Sequence, residues 1–142
     1  MPTFIPILPI AVGVHAPAPN PSRVYPCEVR AVHDGDTVTV VVPEWPALFS
    51  PITVRLAGID CPELRDPRPE IKAIAEKAAV RLRELLAGKQ TELCSVRRDK
   101  YFRLLATLTA FDKETNAWRS VAPFLLVDGL ARPYTGRGPK PW

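Results

Sequence analysis

The chain is poor in the residues that build thiolate metal centres and disulfide frameworks. Its 142 residues include three cysteines, Cys27, Cys61 and Cys94, and two histidines, His15 and His33. An odd cysteine count at spacings that match no zinc motif excludes a disulfide scaffold, and buried free thiols are the expectation. Neither histidine has a partner at metal-ligand spacing, and His33 reads as a strand-end residue. No apolar run is long enough for a membrane-spanning helix, and internal repeats are absent. Charge is only mildly one-sided: nineteen Lys and Arg against fifteen Asp and Glu give +4. That balance suits a polyanionic partner without demanding one. By length the chain is one domain, with 46% hydrophobic residues to fill its core.

Residues 1–23 stand apart. The first Lys or Arg is Arg23, and Pro2, Pro6, Pro9, Pro17, Pro19 and Pro21 interrupt a stretch rich in Ile, Val and Ala. Proline this dense forbids a regular helix, so an extended apolar arm is expected. A secretory leader wants a basic start and an unbroken apolar stretch. A cytoplasmic or phage- or plasmid-associated location is therefore favoured over secretion, with the arm as a docking segment for a protein or virion partner.

Residues 24–142 read as one β-rich α+β domain. Val24 to Val32 and Thr37 to Val42 are rich in β-branched residues, and Asp34-Gly35 between them signals a turn. In Ile52 to Ala57 the apolar residues alternate, which places Arg55 opposite the buried face. Ile71, Ile74, Ala75, Ala78, Leu82, Leu85 and Leu86 recur at helical spacing, with Pro69 in the first turn and Gly88 as the stop. Thr91 to Val96 and Leu104 to Phe111 are two further strands. Ser120 is placed to cap a short last helix from Val121 to Asp128. Three strands, a helix, two strands and a helix predict a five-stranded oligonucleotide-binding (OB) barrel, with one helix inserted after strand three and a short one near the C-terminus.

Three clusters carry chemistry: Asp36 in His33-Asp34-Gly35-Asp36-Thr37; Arg55, Asp60 and Glu63 in the Val54–Glu63 stretch; and Lys100, Tyr101 and Arg103 in Asp99-Lys100-Tyr101-Phe102-Arg103. Asp36 opens the second strand and Asp60 follows the third. Side by side, the two carboxylates converge, and like charges that converge favour a bound cation. Oxygen ligands without His or thiolate select Ca²⁺, Mg²⁺ or Mn²⁺. Glu63, just past Pro62, is placed to activate a water. Arg55 and Arg103 offer planar forks to phosphate oxygens, and Lys100 and Tyr101 suit a neighbouring phosphate. Arg97, Arg98, Lys100 and Arg103 together form a local basic face. The set suits metal-dependent hydrolysis of a phosphodiester.

These clusters, in this order and continuing through Leu126-Val127-Asp128-Gly129-Leu130-Ala131, resemble the staphylococcal nuclease (thermonuclease) family over about residues 24–134. The resemblance implies an OB barrel and Ca²⁺-dependent endonuclease cleavage of DNA and RNA toward 3′-phosphate ends. It implies Asp36 and Asp60 as calcium carboxylates, with the Cys61 carbonyl as a further ligand, and Glu63 as general base. Arg55 and Arg103 become the transition-state arginines, Lys100 and Tyr101 the contacts to the adjacent phosphate, and Tyr134 the base-stacking ring. Cys61 stands where the family usually has Thr, which adds a thiol open to oxidation. Phe102 replaces the usual Gly beside the arginine, where it can reshape the presentation of Arg103 or stack on a base. The alternatives are a catalytically inactive OB module that only binds nucleic acid, and a nuclease docked through residues 1–23 in a larger assembly such as a phage particle.

Overall fold

The computed structural model describes residues 22–101 and 103–142. The extended arm expected over residues 1–23 and the roles weighed for Phe102 therefore fall outside the described residues, apart from the arm's last two positions. In chain order the elements are β1 (Tyr25–Asp34), β2 (Thr37–Val41), a single 3-10 turn (Ala47–Phe49), β3 (Ile52–Leu56), β4 (Ile59–Asp60), α1 (Pro69–Leu86), β5 (Thr91–Arg98), β6 (Leu104–Asp112), β7 (Ala117–Ser120), α2 (Ala122–Val127) and β8 (Arg132–Pro133).

Strands β3, β2, β1, β5 and β6 hydrogen-bond in that spatial order, and β3 returns to pair with β6, closing a five-stranded barrel. The closing seam is parallel and short: Val54, Arg55 and Leu56 lie opposite Leu104, Leu105 and Ala106. All other pairs of the barrel are antiparallel. Alternation along each strand fills the interior. Val38 and Val40 of β2, Val54 and Leu56 of β3, and Leu104, Ala106, Leu108 and Ala110 of β6 all point inward and are buried. Helix α1 closes one end with Ala75, Ala78, Ala79, Leu82, Leu85 and Leu86. Leu82 is fully buried, and truncating such a side chain typically costs about 2–5 kcal/mol.

The expected barrel and its two helices are present, and α1 starts at Pro69, at its N1 position, as its sequence predicts. Two local readings change. Ser120 does not cap a helix: it ends β7, which pairs with β6, and α2 starts two residues later with no side-chain cap. Val121 instead donates its backbone N–H to the Leu108 carbonyl at 3.0 Å, tying the helix start to the barrel. Residues 59–60 and 132–133, unassigned from sequence, pair as β4 and β8 in a separate two-stranded sheet, with Asp60 opposite Arg132.

Candidate active site

The antiparallel β2–β3 register sets Thr37 opposite Arg55, which brings Asp36 to the end of β3. The Leu56 N–H donates to the Asp36 carbonyl at 2.8 Å, holding the strand ends together. Arg55 then reaches two acids at once. Its Nη1 lies 3.1 Å from Asp36 Oδ2, and its Nη2 donates to Asp60 Oδ1 at 2.9 Å. Nη1 also donates to the carbonyls of Leu56 and Ile59 at 3.1 and 3.0 Å. Asp36 is 5% exposed and Asp60 3%. Thus the two carboxylates converge as the sequence predicts, but they meet across a guanidinium and are not unpaired.

Asp36 has two more donors: the Cys61 N–H at 2.8 Å on Oδ2 and the Thr37 hydroxyl at 2.9 Å on Oδ1. Burial raises the Asp60 carboxyl above the ordinary range, and the Asp36 charge adds to this against the opposing pull of Arg55 and Lys140. Asp34 is raised as well, by burial and then by Asp36 and Glu63, against the hydrogen bond from the Leu64 N–H. Four acids therefore share one neighbourhood with one central arginine.

Cys61 is buried, and burial together with the Asp36 charge pushes its thiol up. A protonated, enclosed thiol is neither a thiolate ligand nor readily oxidised, which reverses the sensitivity expected of a thiol there. Its backbone faces the acids through the N–H to Asp36. Glu63 is half-exposed. Arg65 donates to its carboxylate at 3.4 Å, and Lys140 Nζ lies 3.8 Å away. It does not touch Asp36 or Asp60 directly.

The phosphate-binding candidates stand on another wall. Asp99 organises their turn, its Oδ1 accepting from the N–H groups of Tyr101 (2.8 Å) and Arg103 (2.9 Å) while its Oδ2 accepts from Arg103 Nε at 2.8 Å. Partial burial raises the Asp99 carboxyl, but these bonds outweigh it and hold the group below its ordinary value. The Arg103 guanidinium and the Lys100 ammonium lie 5.4 and 5.2 Å from the Tyr101 ring centre. Arg55, Lys100, Tyr101, Arg103 and Tyr134 all line one cavity of about 600 Å³. Tyr134 donates its hydroxyl to the Gly138 carbonyl at 3.0 Å, so only its ring is offered to that space.

Beyond Tyr134, the C-terminal residues at this site are not predicted from sequence. Arg137 and Lys140 line the same cavity. Trp142 donates its indole N–H to the Asp60 carbonyl at 2.7 Å, under the Arg132 guanidinium 3.8 Å from its ring centre. The basic composition of the tail was a signal, but nothing local showed that it folds back onto Asp60. A second cavity, of about 640 Å³, lies between α1, β6, β7 and α2, and contains none of the candidate residues.

Among the described residues no group of three or more His, Cys, Asp or Glu side chains is arranged to hold a metal ion. The oxygen donors nevertheless fit a hard cation that takes few protein ligands. The two buried carboxylates carry more negative charge than Arg55 offsets, and an ionised carboxylate has lone pairs beyond those Arg55, Cys61 and Thr37 occupy.

A search of curated proteins finds no match to the chain. A family model described as staphylococcal nuclease homologue matches residues 53–141, more than half of the sequence. The matched stretch holds Arg55, Asp60, Cys61, Glu63, Lys100, Tyr101, Arg103 and Tyr134. Asp36 lies before it.

Proposed function

The chain belongs to the staphylococcal nuclease homologue family, and from that premise we propose a Ca²⁺-dependent endonuclease that hydrolyses DNA, RNA or both toward 3′-phosphate ends. One observation carries the reading: Arg55 is fixed between two buried carboxylates at the edge of a cavity lined with further cations. A structural ion pair needs neither the second acid nor the cavity.

Each side chain has a task in this reading. Asp36 and Asp60, with the Cys61 carbonyl, would hold the ion, and would leave it open to a substrate phosphate. Bound there, Ca²⁺ supplies positive charge against the charge that develops on the phosphate, and favours the ionised form of a nearby water. Glu63, reachable from solvent, takes the proton of the attacking water. Arg55 and Arg103 donate to the equatorial oxygens, where negative charge spreads in the transition state. Arg55 is already oriented by four contacts, so little reorganisation is needed when the charge appears. Lys100 and Tyr101 hold the adjacent phosphate, and the Tyr134 ring offers a base a stacking face.

A second reading, a binding module without catalysis, draws on one feature: Glu63 faces Arg65 and Lys140 and not the acid pair. Digestion of plasmid DNA and of RNA with Ca²⁺, with Mg²⁺ and with chelator decides between them. Cleavage with Ca²⁺ that stops in chelator supports the nuclease; binding without cleavage in any of the three leaves the module. The arm over residues 1–23 is read as a docking segment for a protein or virion partner, with a cytoplasmic or phage- or plasmid-associated location. Co-sedimentation of the full chain, but not of a chain lacking residues 1–22, with the assembly tests it.

A further inference from the structure

Three cations line the cavity without an acidic partner. Arg55 is engaged by Asp36 and Asp60, Arg103 by Asp99, and Lys140 leans toward Glu63. Among the described residues Arg97, Lys100 and Arg137 make no ion pair, yet all three border the same space. Lys100 already has a phosphate in the reading above. Arg97 and Arg137 do not, and both are placed by irregular backbone, a strand bulge and a glycine-flanked loop.

Arg137 sits at the tip of a closed loop. Gly136 and Gly138 flank it at φ of 88° and 78°, a left-handed region that residues with a Cβ rarely enter. The Tyr134 hydroxyl bonds across the loop to the Gly138 carbonyl, and the Tyr134 N–H donates to the Gly58 carbonyl at 3.0 Å. Farther along, Trp142 anchors the chain on Asp60. Arg97 follows a bulge in β5: the register with β6 shifts between Cys94 and Arg97, and Ser95 adopts φ of 52°. The extra residue turns Val96 into the core and leaves Arg97 outside, bonded to the Ser95 carbonyl at 2.8 Å. A bulge and a glycine-bracketed loop, far apart in sequence, thus bring two unpaired guanidiniums to one cavity.

We propose that Arg97 and Arg137 form a further anion subsite, which grips a backbone phosphate of the nucleic-acid strand beyond the one assigned to Lys100. This rests on the nuclease reading and extends it. The ligand is a strand with several consecutive phosphates; a mononucleotide lacks the phosphate that the subsite would hold. Guanidinium forks suit phosphate oxygens in two-point contact, and each neutralised phosphate releases counterions.

The test is equilibrium binding of a fluorescent single-stranded oligonucleotide in chelator, titrated with KCl, for the full chain and two double variants. Arg97→Gln/Arg137→Gln removes the subsite. Lys89→Gln/Lys113→Gln removes the same charge from two exposed lysines of the second cavity. The subsite variant is expected to flatten the plot of log affinity against log salt by roughly 1.4, and to bind roughly 25-fold more weakly at 0.1 M salt, if each lost contact contributes about 0.7 to the slope. The lysine variant should keep most of the slope. An unchanged slope in the subsite variant, or an equal loss in both, overturns the subsite. Failure of the unaltered chain to bind any strand in chelator and to cleave one with Ca²⁺ overturns the nuclease reading instead, so the two failures are distinct.

Discussion

Gly35 packs so closely on α1 that a Cβ at its position would lie 2.6 Å from the Ala78 Cβ and 2.8 Å from the Cys61 Sγ. A glycine in an Asp-Gly turn often serves backbone angles that other residues avoid. Gly35 is absent from the residues with positive φ, and what it supplies is room. Replacing it with Ala is expected to push the turn off α1, costing about 1–3 kcal/mol as overpacking usually does. A fall in the urea midpoint checks this. Because Asp36 follows directly, calcium affinity should fall in the same variant.

Asp60→Asn separates stability from metal binding. Its raised carboxyl means the folded chain holds a proton there that the unfolded chain has released. The stability tied to that proton is complete below the ordinary Asp value near 4, and is lost as pH rises through the raised folded value. Above that value, ionised Asp60 is a burden on the ion-free fold, which Asn relieves. Thermal melts in chelator should show Asp60→Asn melting at or above the unaltered chain at pH 7, with the advantage vanishing near pH 3. Added Ca²⁺ should raise the melting temperature of the unaltered chain and leave that of the variant in place. A variant that still responds to Ca²⁺ removes Asp60 from the ion site.

Glu63→Gln keeps the shape and loses the proposed base. Rates on a short oligonucleotide should drop by ~10²–10⁴-fold with little change in strand affinity. Single-turnover kinetics beside a binding titration make the comparison, and a variant as fast as the parent rejects Glu63 as the base.

Arg55→Lys should fail in a different way. A single ammonium cannot span Asp36 Oδ2, Asp60 Oδ1 and two carbonyls at once, so one acid loses its partner. Both rate and stability should fall, as single-turnover kinetics and thermal melts would read. Full rescue by Lys would show that only charge is needed at this position.

Much of this was legible in the chain, for definable reasons. Helix α1 declares itself through Pro69, Gly88 and an apolar stripe, all local signals. The meeting of Asp36 and Asp60 followed from adjacent strands. That Arg55 would fill the space between them did not, because strand alternation reports which face a side chain leaves by and not where a long side chain ends. The β4–β8 pair is two residues long, too short for any period, and exists only once the chain has returned from residue 60 to residue 132. Arg137 and Trp142 reach the site by that same return. Ser120 looked like a helix cap because caps and strand ends share a residue preference, and pairing with β6 decided the matter.

The short parallel seam of β3 and β6 has a bearing on folding as well as on shape. Arg55 lies in the seam and Arg103 directly precedes its other strand. The closing seam of the barrel and the proposed grip on phosphate are therefore one piece of structure. A strand bound across both arginines would act as a clasp on the barrel, slowing hydrogen exchange along Val54–Leu56 and Leu104–Ala106 more than elsewhere. In a partly opened barrel the core could persist while the clasp was lost, so activity should disappear before the fold does.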